Sequence, residues 1–331
     1  MRARSNGKFI RHRLAICVLL LCAAWPLASC QMKELTSLPA DHSQFPEPMA
    51  CGKCHVAIYQ EWESSPHAKA YVSQSFQRAT NDYRFRECLA CHAPEPTFTT
   101  TRPVARTADC NLGVVCVSCH LDQGAMVGPR QPTGVVKPHP IVVDAARFLN
   151  GQECGRCHES TLQQWQAFPA TAKQDCAACH MPEVTRTMTQ ATDLISKPIV
   201  AMEKPNVEHR HVFDCPDAHA SADDYALNAV ATNHRITVTL QNRLPHNLPT
   251  GDFGVRLVQV TATAVNATGK QSEIAQWEIA GTQNQSLAPG AVRRWDADLP
   301  AGTQTVRLSL ARKDRNPADT VVILEKAVAI P

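Results

Sequence analysis

Ten of the 15 cysteines fall into five copies of one word, Cys-x-x-Cys-His. The copies are Cys51-Gly-Lys-Cys54-His55, Cys88-Leu-Ala-Cys91-His92, Cys116-Val-Ser-Cys119-His120, Cys154-Gly-Arg-Cys157-His158 and Cys176-Ala-Ala-Cys179-His180. Three chemistries use thiols at this spacing. A structural zinc site takes two such pairs for one tetrahedral ion and gives no reason for a histidine after every pair. A thioredoxin-like redox centre occurs once, in a βαβ setting. Covalent haem attachment uses the whole word. Two thiols one helical turn apart form thioethers with the haem vinyl groups, and the next residue's imidazole lies under the iron as proximal ligand. Five words without exception predict five covalently bound haem c groups, with the ten word cysteines as attachment residues and His55, His92, His120, His158 and His180 as iron ligands.

A haem iron has a second axial position. An imidazole there makes the iron low-spin and coordinatively filled, suited to outer-sphere electron transfer, whereas an open position admits water or a substrate. Eight histidines lie outside the words and the N-terminal leader: His42, His67, His139, His209, His211, His219, His234 and His246. His139 sits in the rigid stretch Lys137-Pro-His139-Pro140, and His246 in Leu244-Pro-His246-Asn-Leu-Pro-Thr-Gly251. All eight are candidate distal ligands, and five would suffice. A solvated loop position is the ordinary alternative for each. Met181 directly follows His180 and is poorly placed to reach the far face of that haem. Trp62 and Trp165 read as haem-packing residues.

The elements that must position these residues fall into four stretches. Residues 2–13 carry Arg2, Arg4, Lys8, Arg11 and Arg13 without an acid, and the apolar run Leu14 to Leu27 follows. That run is too short to span a bilayer and fits the core of a signal peptide. It ends in Leu27-Ala28-Ser29-Cys30, which is similar to a bacterial lipobox, so Cys30 is the expected lipidation site and acyl chains the expected anchor. Gln31 after it is similar to the outer-membrane sorting class. Removing residues 1–29 leaves 28 basic against 30 acidic side chains, so the mature chain is near −2 and its basic character belongs to the leader. Nothing in that balance points to nucleic acid. Residues 30–48, punctuated by Pro39, Pro46 and Pro48, read as a tether. Residues 49–225 contain all five words and only short helical patterns. From 226 to 331 the pattern is strand-like: "ITVTLQN" from Ile236, "VRLVQVTATAV" from Val255, "TVRLSLA" from Thr305 and "TVVILEKAVAI" near the end, separated by Gly/Pro/Asn turns. The expectation is an α + β chain, a helical and loop-rich haem domain followed by an antiparallel β-sandwich-like domain.

The haem stretch repeats internally. Aligning Cys51 with Cys154 also aligns Gly52 with Gly155, Trp62 with Trp165 and Pro66 with Pro169. "ECLACHAPE" from Glu87 aligns with "DCAACHMPE" from Asp175, which makes the first two words the counterparts of the last two. Ala170 stands where the first repeat has His67, so the second repeat must borrow a distal ligand or lack one.

Residues 49–220 resemble the cytochrome c554 family of multihaem electron carriers. The resemblance rests on Trp62-Glu-Ser-Ser65-Pro66-His67-Ala68, on Gly113 to His120, on Cys179-His180-Met181-Pro182 and on His211-Val-Phe213. The loop around His246 resembles a His-x-x-Pro-Thr-Gly loop in the β domains of related multihaem proteins. The chain departs from the family in having five words where the reference member has four, and Asp214 where a glycine usually follows Phe213. The resemblance implies bis-histidine haems and an electron-transfer role, with other cytochromes, a quinol-linked complex or an outer-membrane redox complex as partners. It makes His67, His211 and His246, with His139 of the rigid loop before the fourth word, the expected distal ligands, and leaves His209, His219, His234 and His42 competing for a fifth place. An oxidoreductase with one five-coordinate haem, acting on a small nitrogen oxide, hydroxylamine or peroxide, is the competing expectation. A docking scaffold is a third. Cys110 and Cys215 are left over and are a candidate disulfide in an oxidising compartment.

Overall fold

The computed structural model describes residues 46–330 apart from 135–136, 170–173, 191, 193, 195–196, 214–223, 233, 252–255, 283 and 315–319. The leader, Cys30, His42, Ala170, Cys215 and His219 lie outside the described residues.

The haem stretch is built of short helices joined by turns. Its two longest helices, Val56–Ser64 and Glu159–Ala167, each begin directly after a word histidine. Small sheets brace the loops. β1 (Leu121–Asp122), β2 (Ala125–Gly128) and β3 (Ile141–Val143) form one, and β4 (Glu183–Arg186) pairs with β5 (Asn206–His209) in another. The stretch has little apolar core of its own. One cluster joins Trp62, Val115, Val117 and Leu121, with Tyr59, Ala68, Leu112, Met126 and Phe213 packed against it.

The C-terminal part is antiparallel. β6 (Tyr225–Thr232), β7 (Arg235–Asn242) and β10 (Val292–Asp298) form a sheet in the order β10-β7-β6. β8 (Arg256–Asn266), β9 (Gln271–Ala280), β11 (Thr303–Asp314) and β12 (Val321–Ala329) form a second in the order β12-β11-β8-β9. Period-two alternation puts Ile236, Val238 and Leu240 of β7, Val258 and Val260 of β8 and Val306, Leu308 and Leu310 of β11 into one buried core. All eight are almost wholly enclosed, and they come from the inner strands. At the β8–β9 turn, Gly269 takes φ +79° while the Asn266 side chain accepts from the backbone N–H groups of Thr268 and Lys270.

The α + β architecture matches the sequence expectation. β7, β8, β11 and β12 coincide with the four runs read from the sequence, while β6, β9 and β10 carry no such signal. Many of their packed positions hold small or half-buried residues, among them Ala229, Ala231 and Ala297, so their sequences alternate weakly. No helix among the described residues is long and apolar enough to cross a membrane.

Candidate functional site

Each word is a single helical turn. His55 and His158 donate their backbone N–H to the carbonyls of Cys51 and Cys154 at 2.9 Å. Closing that turn puts the two thiols and the imidazole on one side. The following helix starts from the same histidine, with Tyr59 and Leu162 donating to the carbonyls of His55 and His158. Gly52 permits this packing, because a Cβ there would lie 2.7 Å from the Tyr59 ring; Gly155 faces Leu162 in the same way.

The words are brought together in contact. The thiol of Cys51 neighbours that of Cys116, Cys91 neighbours Cys157, and Cys154 neighbours Cys176. The word cysteines form no disulfides. Among the described residues no group of three or more Cys, His, Asp or Glu side chains could hold a metal ion by itself.

These contacts correct the repeat. The Trp62 indole donates to the carbonyl of Val114 at 2.8 Å, two residues before Cys116, and the Trp165 indole donates to Gln174 at 2.7 Å, two residues before Cys176. The spatial counterpart of the fourth and fifth words is therefore the first and third. The similarity of "ECLACHAPE" to "DCAACHMPE" is local and does not extend to these contacts. Each tryptophan serves as a buried strut between words.

The histidine rings form four facing pairs. His139 faces His55 with ring centroids 6.4 Å apart, His67 faces His158 at 6.4 Å, His211 faces His120 at 6.1 Å and His246 faces His180 at 6.3 Å. Two imidazoles on opposite sides of one metal, each about 2.0 Å from it and with the ring centre about 1.1 Å behind the nitrogen, have centroids about 6.3 Å apart. All four expected distal histidines thus lie opposite a word histidine, each opposite a different one. His67 is not opposite the word that precedes it. It faces the fourth word, and the first word faces His139.

The outer ring nitrogens are engaged by the backbone. Nδ1 of His55 lies 3.0 Å from the carbonyl of Met188, Nδ1 of His92 2.7 Å from Ala70, Nδ1 of His120 2.8 Å from Val127 and Nδ1 of His211 3.0 Å from His209. A carbonyl at Nδ1 places the proton there and leaves Nε2 with its lone pair, as a metal ligand requires. Desolvation reinforces this by disfavouring the imidazolium. His67 is lowered to about 3 and His211 to about 4, with neighbouring histidine charges adding to the shift. The side chains of Arg106 and Arg186 each carry a buried Nε with no partner. Both are suited to an anionic acceptor such as a haem carboxylate. Spacing, tautomer and free thiols together fit covalent haem.

His92 differs. Its ring stacks on Phe76 at 3.8 Å and 12°, within a cluster containing Tyr71 and Tyr83, and no second histidine faces it among the described residues. Of the competing histidines, His209 engages the carbonyl of Met181 through Nδ1 at 2.6 Å, and His234 is exposed. Cys110 is a free thiol directed at the carbonyl of Arg106, 3.2 Å away.

The geometry also brings in residues that the sequence reading did not single out. Glu203, a buried carboxylate, accepts from the backbone N–H of Met188 at 2.7 Å and of Thr189 at 3.1 Å, and so fixes the strap that holds His55. Asn242, fully buried, donates to the carbonyls of His246 and Leu287, both at 2.8 Å, and accepts from Leu244 N–H at 3.0 Å. Asn247 N–H donates to Gln164 at 2.8 Å, tying the loop of the β part to helix Glu159–Ala167. Polar residues of this kind have no spacing signature.

Fold and site together fit a chain that holds several covalent haems and carries an antiparallel β part. Residues 50–121 match the family model described as cytochrome c554 and c-prime. The penta-heme cytochrome c552 from Thermochromatium tepidum is similar in fold over 85% of this chain and 97% of its own, with a TM-score of 0.57 and 17% identity. Superoxide reductase (neelaredoxin) from Archaeoglobus fulgidus in the reduced form, at 8% identity over 32% of this chain and 89% of its own, reaches a TM-score of only 0.21 and carries no weight. No curated protein sequence matches. The chain thus shares the fold of a penta-heme cytochrome, and its residues 50–121 carry the sequence pattern of the cytochrome c554 and c-prime family.

Proposed function

We propose that the mature protein is an exported pentahaem electron carrier, held to the outer membrane by acyl chains on Cys30 and facing the periplasm or the cell surface. Four haems are bis-histidine, with the ligand pairs His55/His139, His158/His67, His120/His211 and His180/His246. The observation that carries this reading is the set of four facing pairs at 6.1–6.4 Å, each joining a word histidine to one outside the words. When bound, haem supplies reversible one-electron chemistry. The chain's residues would attach it through the ten word cysteines and fix the rings of His55, His120 and His211 by backbone carbonyls at Nδ1. Neighbouring sulfurs set the first word beside the third, the second beside the fourth and the fourth beside the fifth. Neighbouring attachment points set this close suit a relay between partners such as other cytochromes, a quinol-linked complex or an outer-membrane redox complex.

A second reading is favoured by His92. Its haem would have one open axial position, bordered by Phe76 and two tyrosines, and would act on a small nitrogen oxide, hydroxylamine or peroxide. One experiment separates the two. Electron paramagnetic resonance of the oxidised holoprotein should show low-spin signals from four haems. A fifth, high-spin haem that shifts with cyanide, nitrite or hydroxylamine supports the second reading, and five low-spin haems insensitive to these reagents refute it. Intact mass should exceed the polypeptide by five haems. A protein with fewer than four, or with zinc, defeats the proposal.

A further inference from the structure

The axial assignment of His211 leaves open what holds it in place. Glu61 lies on helix Val56–Ser64 and Arg186 at the end of β4, 125 residues apart in sequence. Their side chains form a two-pronged ion pair, Nη1–Oε1 at 2.7 Å and Nη2–Oε2 at 2.9 Å, and are only 16% and 13% exposed. A mostly buried pair adds little net stability, since desolvation offsets much of the attraction. Its other contacts point to a more specific role. Glu61 Oε2 also accepts the backbone N–H of His211 at 3.0 Å. Arg186 Nη2 is 3.4 Å from the carbonyl of His209, the same oxygen that lies 3.0 Å from His211 Nδ1. One ion pair therefore holds both the backbone of the ligand and the carbonyl that orients its ring.

We propose that Glu61 and Arg186 are positioning residues for His211, and that they set the geometry of the distal imidazole opposite His120. This rests on the axial assignment proposed above. The effect extends one step further. Phe213 meets His211 edge-on at 5.8 Å and lies 4.1 Å from His67, so a displaced 209–213 segment also disturbs the ligand facing His158.

The test compares the oxidised holoprotein with Glu61→Ala, Glu61→Gln, Arg186→Lys and His211→Met by electron paramagnetic resonance. His211→Met identifies the signal of the third-word haem by its loss. Glu61→Ala should shift that same signal, with a high-spin component growing at its expense and a smaller shift at the fourth word. The first- and fifth-word signals should stay unchanged. Glu61→Gln keeps an acceptor for the His211 N–H and should give a smaller shift. Arg186→Lys keeps the charge but loses the fork, and should resemble Glu61→Gln. If His211→Met removes one signal while Glu61→Ala and Arg186→Lys match wild type, the positioning role is refuted. A uniform loss of all five haems in Glu61→Ala, with a wild-type spectrum in Glu61→Gln and Arg186→Lys, refutes it too and leaves a structural ion pair. If His211→Met itself changes no low-spin signal, the axial assignment fails instead.

Discussion

Chain order and tertiary structure disagree about which haem His67 serves, and removing it tells them apart. In sequence, His67 follows the word beginning at Cys51. In space it faces His158 at 6.4 Å, and His139 faces His55 at the same distance. The two rings therefore belong to different irons. An imidazole cut back to alanine has no ligating atom, so each single variant should turn one haem high-spin. Relative to the wild-type count of high-spin haems, His67→Ala and His139→Ala should each add one, and the double variant two. The two changes should add, because the ligands share no iron. Electron paramagnetic resonance integration of the oxidised protein reads these counts directly. Methionine in place of either histidine should raise the potential of its own haem, since Met/His ligation favours the reduced state over bis-imidazole. A double variant with the high-spin count of a single one would mean that both histidines serve the same iron. A wild-type spectrum in His67→Ala would remove it from the ligand set. Either result would overturn the inference from ring spacing to coordination.

Gly113→Ala should be poorly matured. Gly113 takes φ +68°, and a Cβ there would lie 2.7 Å from the carbonyl oxygen of Ala68 and close to that of His67. Haem content should fall and denaturant midpoints should drop by the equivalent of about 1–3 kcal/mol or more. Asn242→Ala strips three hydrogen bonds from the loop carrying His246 and should destabilise by roughly 2–3 kcal/mol, with the low-spin signal of the fifth-word haem weakened; an unchanged signal would show that the loop holds without it. Leu308→Ala, in the β core, should cost about 2–5 kcal/mol in chemical unfolding and leave the haem spectra intact. Acid should act through the histidines. In the haem-free chain, the folded values of about 3 for His67 and about 4 for His211 lie below the unfolded value. Stability is therefore fully present above the unfolded value, declines as pH falls below it and is lost through the folded values. A denaturant midpoint flat from pH 7 to 4 would contradict this.

Much of the chemistry was legible in the sequence, because it is local. A thioether word needs two thiols one turn apart and an imidazole beside them, and five consecutive residues specify that geometry at each of five places. The inner strands were legible for a similar reason. Ile236, Val238 and Leu240 alternate because one face of β7 is packed, whereas β6, β9 and β10 put small or half-buried residues such as Ala229, Ala231 and Ala297 at many of their packed positions. The sequence also marked His67, His139, His211 and His246 by their loops and motifs. It held no information on which partner each would meet, since a distal ligand approaches from across the fold and its sequence separation is unconstrained. His67 and His158 are 91 residues apart, and His139 and His55 are 84. The pairing of the third word with the first likewise depended on where the Trp62 indole found a carbonyl, at Val114. Glu61, Arg186, Glu203 and Asn242 were silent for the same reason. A buried polar side chain acquires its role from the acceptors and donors that packing brings to it, and only the tertiary structure supplies those.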